Sequence, residues 1–361
     1  MKQHILVASV GLAAAALAGP TVPPPETALR GLDPIDLIAG RETPGSPQRS
    51  VVRGRYRYQF ANDANRRRFE GGPERYAIQM GGACARMGPL SGQGSPERFL
   101  VHDGRIYVFA SDICRTAFRT APNRFLDPAE RPVSVTTTDR EQGRTLLARA
   151  LEGLGGAPAL ERVHSLQTKV RIIYRSGGES QEGDLILTMG FPGRFRTEER
   201  WGKWASVAAA DGNGGFRQEA ETAWPMERGE QDYFLRAQQR HPLALLQSRE
   251  EPDFLGASGG TDRVNGEEVA LLQVSRRGVL TTLALDERGR IVQTRYRGRA
   301  FGVVGDVVVT YSDFRQVGSL ILPYGTETRL DGRRVLSPTH RVDAITLNPK
   351  LTADHFRLVG K

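Results

Sequence analysis

The chain has 361 residues, of which 39% are hydrophobic and 25% are charged, and its formal net charge is +9 at pH 7. This composition is ordinary for a globular protein, and the length allows two domains with hydrophobic cores. The charge does not indicate a nucleic-acid partner, because arginine supplies nearly all of it and acidic residues are interleaved with it, as in residues 196–200. We interpret the run Arg66–Arg68 as a solvated helix face, with an acidic membrane surface as the alternative.

The first residues have the features of a secretory signal peptide. Lys2 supplies the charged start, residues 5–17 the apolar run, and Ala16-Leu17-Ala18 a small-residue cleavage site. The run is too short to span a bilayer, no later segment approaches that length, and no cysteine follows the cleavage site to carry a lipid anchor. We therefore predict a signal peptide over residues 1–18, a proline-rich leader over 19–30, and export to the periplasm or beyond.

The stretch from residue 52 to residue 125 contains the same arrangement of residues twice. Each copy has a Gly-centred hairpin signal, a strand that ends at Phe, and then Asp, a second Phe and Pro at matching offsets. The matching residues are Phe60, Asp63, Phe69 and Pro73 in the first copy and Phe109, Asp112, Phe118 and Pro122 in the second. Each copy is therefore predicted to be a β-hairpin followed by a short helix, capped by Asn62 or Ser111, with its two Phe side chains buried.

Several ordered motifs in this region resemble the YHS domain in its exported form. They are Gly31-Leu32-Asp33-Pro34-Ile35, Gly45-Ser46, the hairpin ending at Phe60, Pro73-Glu74-Arg75-Tyr76-Ala77 and Gly81-Gly82-Ala83-Cys84-Ala85. The resemblance covers residues 31–126 and implies a small treble-clef-like domain. Related modules often bind metal through cysteines just after the strand-ending Phe. Those positions here hold Ala61, Asn65, Ala110 and Cys114, so a four-cysteine site is not available.

The two cysteines, Cys84 and Cys114, leave three interpretations open. In an oxidising compartment the simplest is a disulfide between them, which would stabilise the domain by roughly 3 to 4 kcal/mol. The second is a soft-metal site, for instance for Cu(I), that uses both thiolates with Met87, Met80 or His102. The third is a pair of buried, unpaired thiols. Apart from such a metal, the sequence predicts no cofactor.

The second half of the chain has a different pattern. Residues 127–142 are polar and lack periodicity, so we interpret them as an interdomain linker. Within residues 143–361 a pair of helices precedes a long series of strands, which one helix between Tyr233 and Leu246 interrupts. Turn signals separate the later strands at Asn265-Gly266, Glu287-Arg288-Gly289 and Asp331-Gly332. The chain is therefore predicted to be α+β, with the meander curled into an incomplete antiparallel β-barrel that has helices as plug or lid.

Two segments of this half look like the periplasmic lipoprotein-carrier superfamily, the LolA-like proteins. They are residues 155–166, which begin Gly155-Gly156-Ala157-Pro158, and residues 347–356, which begin Leu347-Asn348-Pro349. The resemblance covers residues 145–358 and is shared with the barrel tails of some exported peptidases. It implies a concave face that holds an acyl chain or another apolar ligand, and it transfers no single ligand contact to this chain.

The sequence carries no signature of a catalytic site. It has no His-x-x-Glu-His zinc motif, no Gly-x-Ser-x-Gly elbow and no Walker-type phosphate loop, and its six histidines are scattered. We therefore predict a protein that is not an enzyme. It is expected to be an exported binding protein that carries or senses a lipid-like ligand. A periplasmic metal-binding or metal-responsive protein is the first alternative, and an envelope scaffold without a small ligand is the second.

The expected ligand cavity is lined by one face of several strands. The strands chosen are Leu185–Met189, Val269–Val274 and Val307–Phe314, with the helix from Tyr233 to Leu246 closing one side. Trp201, Trp204 and Trp224 fall within one segment of the barrel. Core packing is their ordinary role, and contact with an apolar ligand at the cavity rim is the alternative.

Overall fold

The computed structural model describes residues 21–89, 93–126, 135–176, 179–300, 302–335 and 339–357. The predicted signal peptide and the first half of the predicted linker, residues 127–134, lie outside the described residues. Within them, no helix is long and apolar enough to cross a membrane.

The N-terminal part, residues 21–126, is built from short hairpins and helices. Its elements are β1 (Glu26–Thr27), α1 (Pro34–Ile38), β2 (Ser46–Arg53), β3 (Tyr56–Phe60), α2 (Asp63–Glu70), α3 (Pro73–Tyr76), β4 (Ser95–His102), β5 (Arg105–Phe109) and α4 (Asp112–Thr120). Strand β3 pairs antiparallel with β2 and parallel with β1, and β4 pairs antiparallel with β5. Two hairpins are thus each followed by a helix.

The two hairpin–helix copies have the same internal geometry. The side chain of Asn62 accepts a hydrogen bond from the Asn65 N–H at 2.9 Å, and that of Ser111 accepts one from the Cys114 N–H at 3.2 Å. The two Phe rings are 5.2 Å apart in the first copy and 5.3 Å apart in the second. All four Phe side chains are at most 1% exposed. The prediction of a buried pseudo-repeat is confirmed.

The remainder of the chain is dominated by long strands. Its elements are α5 (Thr137–Leu154), α6 (Ala157–Glu161), β6 (Ser165–Ser176), β7 (Glu179–Gly190), β8 (Arg194–Trp201), β9 (Trp204–Ala210), β10 (Gly215–Glu219), β11 (Thr222–Pro225), α7 (Arg228–Gln239), α8 (Pro242–Gln247), β12 (Leu255–Val264), β13 (Glu267–Arg276), β14 (Val279–Leu285), β15 (Ile291–Ala300), β16 (Val303–Val317), β17 (Leu320–Leu330), β18 (Arg333–Arg334) and β19 (Thr339–Leu347). Helix α5 begins six residues before the start that the sequence indicated. Thr136 and Asp139 form a reciprocal capping box there, and the first turns are too polar to reveal an apolar period.

The strands form two seven-stranded antiparallel sheets instead of one curled meander. The first sheet has the order β11-β10-β9-β8-β7-β6-β19, and the second has the order β12-β13-β14-β15-β16-β17-β18. Helices α7 and α8 separate the two sheets in the sequence, and β19 returns to pair with β6. Over the described ranges the fold is mixed α+β with large antiparallel sheets, and these sheets form no closed barrel.

Helices fill much of the space between the sheets. Leu154 of α5 and Leu245 of α8 belong to one buried cluster with Phe195 of the first sheet and Leu272 and Val274 of the second. Because this face of β13 is sealed by the protein's own side chains, the prediction that Val269–Val274 line a ligand cavity is wrong.

Buried charged groups join the N-terminal part to the sheets. The guanidinium of Arg217, on β10, pairs with Glu230 of α7 at 3.3 Å and donates to the Pro89 carbonyl oxygen. Arg299 of β15 donates to the Phe125 carbonyl oxygen. Gly81 is required at this contact, because its φ is +62° and a Cβ there would lie 2.5 Å from Glu230 Oε2. The described parts therefore form one packed body.

Candidate ligand-binding site

The inner face of the first sheet is sealed at one end and open at the other. Register places Leu166, Met189 and Phe195 side by side on this face, and all three are in the helix-covered core. Two residues further along the strands, Leu187 is only half-buried, and two beyond that Leu185 is also half-buried. Alternation along a strand keeps these side chains on one face. The inner face therefore continues as an apolar strip beyond the helices.

The second sheet presents a similar continuation. Leu272, Leu283, Thr294 and Val309 are successive cross-strand partners on one face. The two leucines are fully buried in the core, whereas Val309 is half-buried. Part of the predicted lining from Val307–Phe314 thus faces the same interior as the strip on the first sheet.

The three tryptophans do not form one group. Trp201 and Trp204 are cross-strand partners at the end of the β8–β9 hairpin, on the face that carries Leu185 and Leu187. Trp201 is half-buried and its Nε1 donates to the Glu199 carboxylate, while Trp204 is 43% exposed. Trp224 is instead buried on β11 beneath the guanidinium of Arg55, whose carbon lies 5.3 Å from the ring centre. The structure brings Trp201 and Trp204 to the open end of the strip and places Trp224 against the N-terminal part.

Another cavity of the protein is polar. It has a volume of about 1000 Å³ and opens where α7 and α8 meet the start of β8 and the end of β9. Its charged and histidine lining residues are Glu161, His164, Asp211, Arg228, Asp232, Arg236, Arg249, Glu251, Arg276 and Arg277. Such a lining does not suit an acyl chain, since each charge must remain hydrated or paired. Sequence reasoning did not find this cleft, because its residues come from six separate segments with no shared spacing.

A shallower depression of about 400 Å³ lies on the outer face of the first sheet. Its apolar lining residues are Val170, Leu185, Ile186, Ala205 and Val207, and charged residues including Lys169, Asp184 and Arg200 also line it.

The two cysteines are brought together in the N-terminal part. Cys84 is fully buried, and its backbone forms an isolated parallel β-bridge with Val108 of β5. Cys114 lies in the first turn of α4 and is 6% exposed. Their thiols are in hydrogen-bond contact and are not bonded to each other. Met87 packs in the same cluster, while His102 lies with its ring 5.8 Å from that of Phe118.

The pKa values of the two thiols are shifted in opposite directions. Burial raises the pKa of the Cys84 thiol, and the backbone N–H groups of Arg86, Met87 and Ala110 only partly oppose this. Burial also acts to raise the pKa of Cys114, but hydrogen bonds with Ser111, Cys84 and Arg86, together with the Arg86 charge, lower it overall. No group of three or more His, Cys, Asp or Glu side chains suited to a metal occurs among the residues that the structure describes.

No protein-family model matches this chain, and no curated protein matches it. Solved structures do. A DUF1329 family protein from Desulfovibrio piger is 8% identical, with a TM-score of 0.41 and coverage of 61% of this chain and 98% of that one. A putative outer membrane lipoprotein-sorting protein domain from Vibrio parahaemolyticus is 10% identical, with a TM-score of 0.39 and coverage of 60% and 97%. A LolA superfamily protein from Nitrosomonas europaea is 11% identical, with a TM-score of 0.40 and coverage of 59% and 96%. These similarities concern the fold and assign no ligand.

Proposed function

We propose that the protein is an exported, non-enzymatic binding protein that carries or senses a lipid-like ligand on the inner face of its first sheet. The observation that supports this is the apolar strip of Leu185 and Leu187, which is left half-exposed between the helix-filled core and Trp201. Each Å² of apolar surface that a ligand removes from water contributes about 25 cal/mol to the free energy of binding. From Gly183 to Met189 the strand spans roughly 20 Å, which is long enough to lie along an acyl chain.

Polar groups on this face do not prevent such binding. Glu199 is the cross-strand partner of Leu185, but its carboxylate accepts the hydrogen bond from Trp201 Nε1. Trp201 in turn covers Gly183, where a Cβ would come within 2.8 Å of the indole ring. The indole therefore occupies the end of the strip and offers an aromatic wall to a bound chain.

The test is the binding of a fluorescent fatty acid to the full mature chain. The double variant Leu185→Gln, Leu187→Gln should weaken binding by at least about tenfold, because each side chain would lose its share of apolar contact. Ile186→Gln is the matched control, since alternation along β7 turns this half-buried neighbour to the face opposite Leu185 and Leu187. The control should bind like wild type. Absence of binding by wild type, or equal loss in control and double variant, would contradict the proposal.

A metal-binding role through the N-terminal part is a second candidate. It is supported by the contact between the Cys84 and Cys114 thiols and by the lowered pKa of Cys114, whose thiolate is favoured by Ser111 and Arg86. Cys84 and Cys114 would hold a soft ion such as Cu(I), with Met87 as a third donor. His102 is the other donor that the sequence suggests, and its ring lies 5.8 Å from that of Phe118, which packs in the same cluster as the two cysteines. When bound, the ion would supply a thiolate–metal link between α4 and the segment that holds Cys84.

Mass measurement distinguishes the states of Cys84 and Cys114. We expect protein purified from the periplasm to carry either a two-dalton deficit or a bound soft metal. Native mass spectrometry before and after a Cu(I) chelator, followed by thiol counting on the unfolded chain, separates the two. Cys114→Ser should abolish both, because each needs the second sulfur. Two free thiols with no metal would contradict the disulfide and the metal site together.

A further inference from the structure

The polar cleft beside α7 and α8 has the size of a ligand-binding site. Its volume of about 1000 Å³ lies at the upper end of the usual range, roughly 300 to 1,000 Å³. Most of its charged side chains are already in ion pairs. The pairs are Glu161–Arg249, Glu251–Arg276, Glu251–Arg277 and Asp211–Arg357, at 2.5, 2.5, 3.3 and 2.8 Å. Within the described ranges, Arg228, Asp232 and Arg236 of α7 line the cleft without an ion pair, so the cleft does not select a highly charged ligand.

Two amide side chains present fixed hydrogen-bond acceptors at this cleft. Gln238 is 4% exposed, and its Nε2 donates to the carbonyl oxygens of Gly190 and Arg194 at 3.4 and 2.9 Å. The Nε2 of Gln247 donates to the carbonyl oxygen of Val163 at 2.5 Å. These bonds orient both amides, and neither Oε1 accepts a hydrogen bond from a described residue, although both side chains line the cleft. Because an acceptor without a donor is costly at a buried position, the cleft favours a ligand that donates O–H or N–H groups.

The cleft does not have the features with which proteins hold a peptide. Its walls are α7, α8, the residues that follow α6, and the connections β7–β8, β9–β10 and β13–β14. An extended peptide pairs with the edge of a sheet, and a helical one lies in an apolar groove. These walls are helices and strand connections and not the side of an edge strand, and their side chains are mostly polar. Apolar contact is limited to a small patch that includes Phe191 and Leu235, both half-buried.

We propose that this cleft binds a neutral saccharide. Each sugar hydroxyl both donates and accepts, so adjacent hydroxyls satisfy the Gln238 and Gln247 carbonyl oxygens and the unpaired groups of α7 together. The C–H face of a sugar ring covers the apolar patch at Phe191 and Leu235, and a ligand without charge leaves the ion pairs of the lining intact. Leu185 and Leu187 do not line the cleft, so this site is separate from the one proposed for a lipid-like ligand.

Saturation-transfer NMR on the full mature chain tests the proposal, with neutral tetrasaccharides of glucose, mannose, galactose and N-acetylglucosamine as the probes. At least one should bind at millimolar concentration, with an affinity that does not change with salt, because no net charge is neutralised. Gln238→Met removes the acceptor with little change of shape and should weaken binding by at least about tenfold. Since this variant also loses the bonds to Gly190 and Arg194, the exposed pair Asp232→Ala, Arg236→Ala provides a second test that leaves the core intact. It should weaken binding by about fivefold.

Ala237→Ser is the matched control, because Ala237 is exposed on the same helix and does not line the cleft. It should bind the saccharide like wild type. The Asp232→Ala, Arg236→Ala variant should bind the fluorescent fatty acid like wild type, which separates failure of this site from failure of the lipid site. Inorganic phosphate and an end-capped neutral tetrapeptide are the competing probes. The proposal is overturned if no tetrasaccharide binds, if phosphate or the peptide binds in its place, or if the two cleft variants bind the saccharide as well as Ala237→Ser does.

Discussion

Replacing Phe118 by alanine should lower the free energy of unfolding by about 3 to 5 kcal/mol, the range for a buried aromatic side chain truncated to a methyl group. Phe118 is completely buried, and its ring centre lies 5.2 Å from that of Tyr107 and 5.3 Å from that of Phe109. Truncation would leave a cavity between β5 and α4 that rigid strands cannot close. Urea denaturation followed by circular dichroism, with the cysteines held in one oxidation state, measures the loss.

The repeat supplies a second instance and a control. Phe69→Ala should cost a similar amount, because its ring has the same place against Tyr58 at 4.8 Å and Phe60 at 5.2 Å. Ile113→Ala, on the same helix as Phe118 but 79% exposed, should change stability by less than about 0.5 kcal/mol. A loss below about 1 kcal/mol for either Phe would be inconsistent with the buried pseudo-repeat.

Stability relative to a Glu230→Gln variant should fall as the pH rises from about 4.5 to about 7. Burial raises the pKa of Glu230 to about 7 from its ordinary value of 4.5, and the charge and hydrogen bond of Arg217 oppose this only in part. A carboxyl group whose pKa is raised on folding binds more protons in the native state than in the unfolded state. Its contribution to the free energy of unfolding is therefore fully present below the pKa of the unfolded state, and it is lost as the pH rises to the pKa of the folded state. The difference amounts to about 3 kcal/mol.

Comparison with Glu230→Gln cancels the pH dependence that other titratable groups give to the stability of both proteins. Arg55 and Glu227 also face Glu230, with opposite signs. Burial lowers the pKa of His241 to about 4, so that residue favours unfolding as the pH falls and partly masks the Glu230 effect in wild type alone. The readout is therefore the difference in Tm between wild type and Glu230→Gln at each pH, roughly 2 to 4 °C per kcal/mol.

Glu250→Gln is the matched control for this experiment, since the Glu250 side chain is 85% exposed and its pairing with Arg249 is a surface one. Its Tm should follow wild type at every pH. The prediction would be contradicted if the difference in Tm between wild type and Glu230→Gln stayed constant from pH 4.5 to pH 7. The buried carboxyl group would then not titrate in this range.

The features that sequence predicts well here are local ones. Asn62 and Ser111 cap their helices as expected because a cap needs only the next three residues. The hairpin turn at Asn265-Gly266 has positive φ at both residues, as a two-residue turn of this composition requires. Burial of the four Phe side chains follows from the same short-range pattern.

The features that sequence missed depend on contacts between distant segments. Nothing near Glu230 in the sequence indicates that Arg217 and Gly81 will enclose it. The division into two sheets arises because α7 and α8 lie between β11 and β12, a packing outcome that strand periodicity does not encode. Trp224 sits in the same segment as Trp201 but contacts Arg55, since the strand that carries it is the edge strand facing the N-terminal part.

The pairing of β6 with β19 has a consequence for how the chain acquires its fold. Val170 is the partner of Val342, so the two strands that meet in the first sheet are separated by nearly all of the strand-rich region. This separation raises the contact order and slows folding, because the entropy of closing a long loop is lost before the hydrogen bonds between the two strands can form. Until then β6 is an unprotected edge, able to pair with another chain. A chain truncated before Thr339 should therefore aggregate as it emerges, and a chaperone that shields extended strands should be needed during its biogenesis.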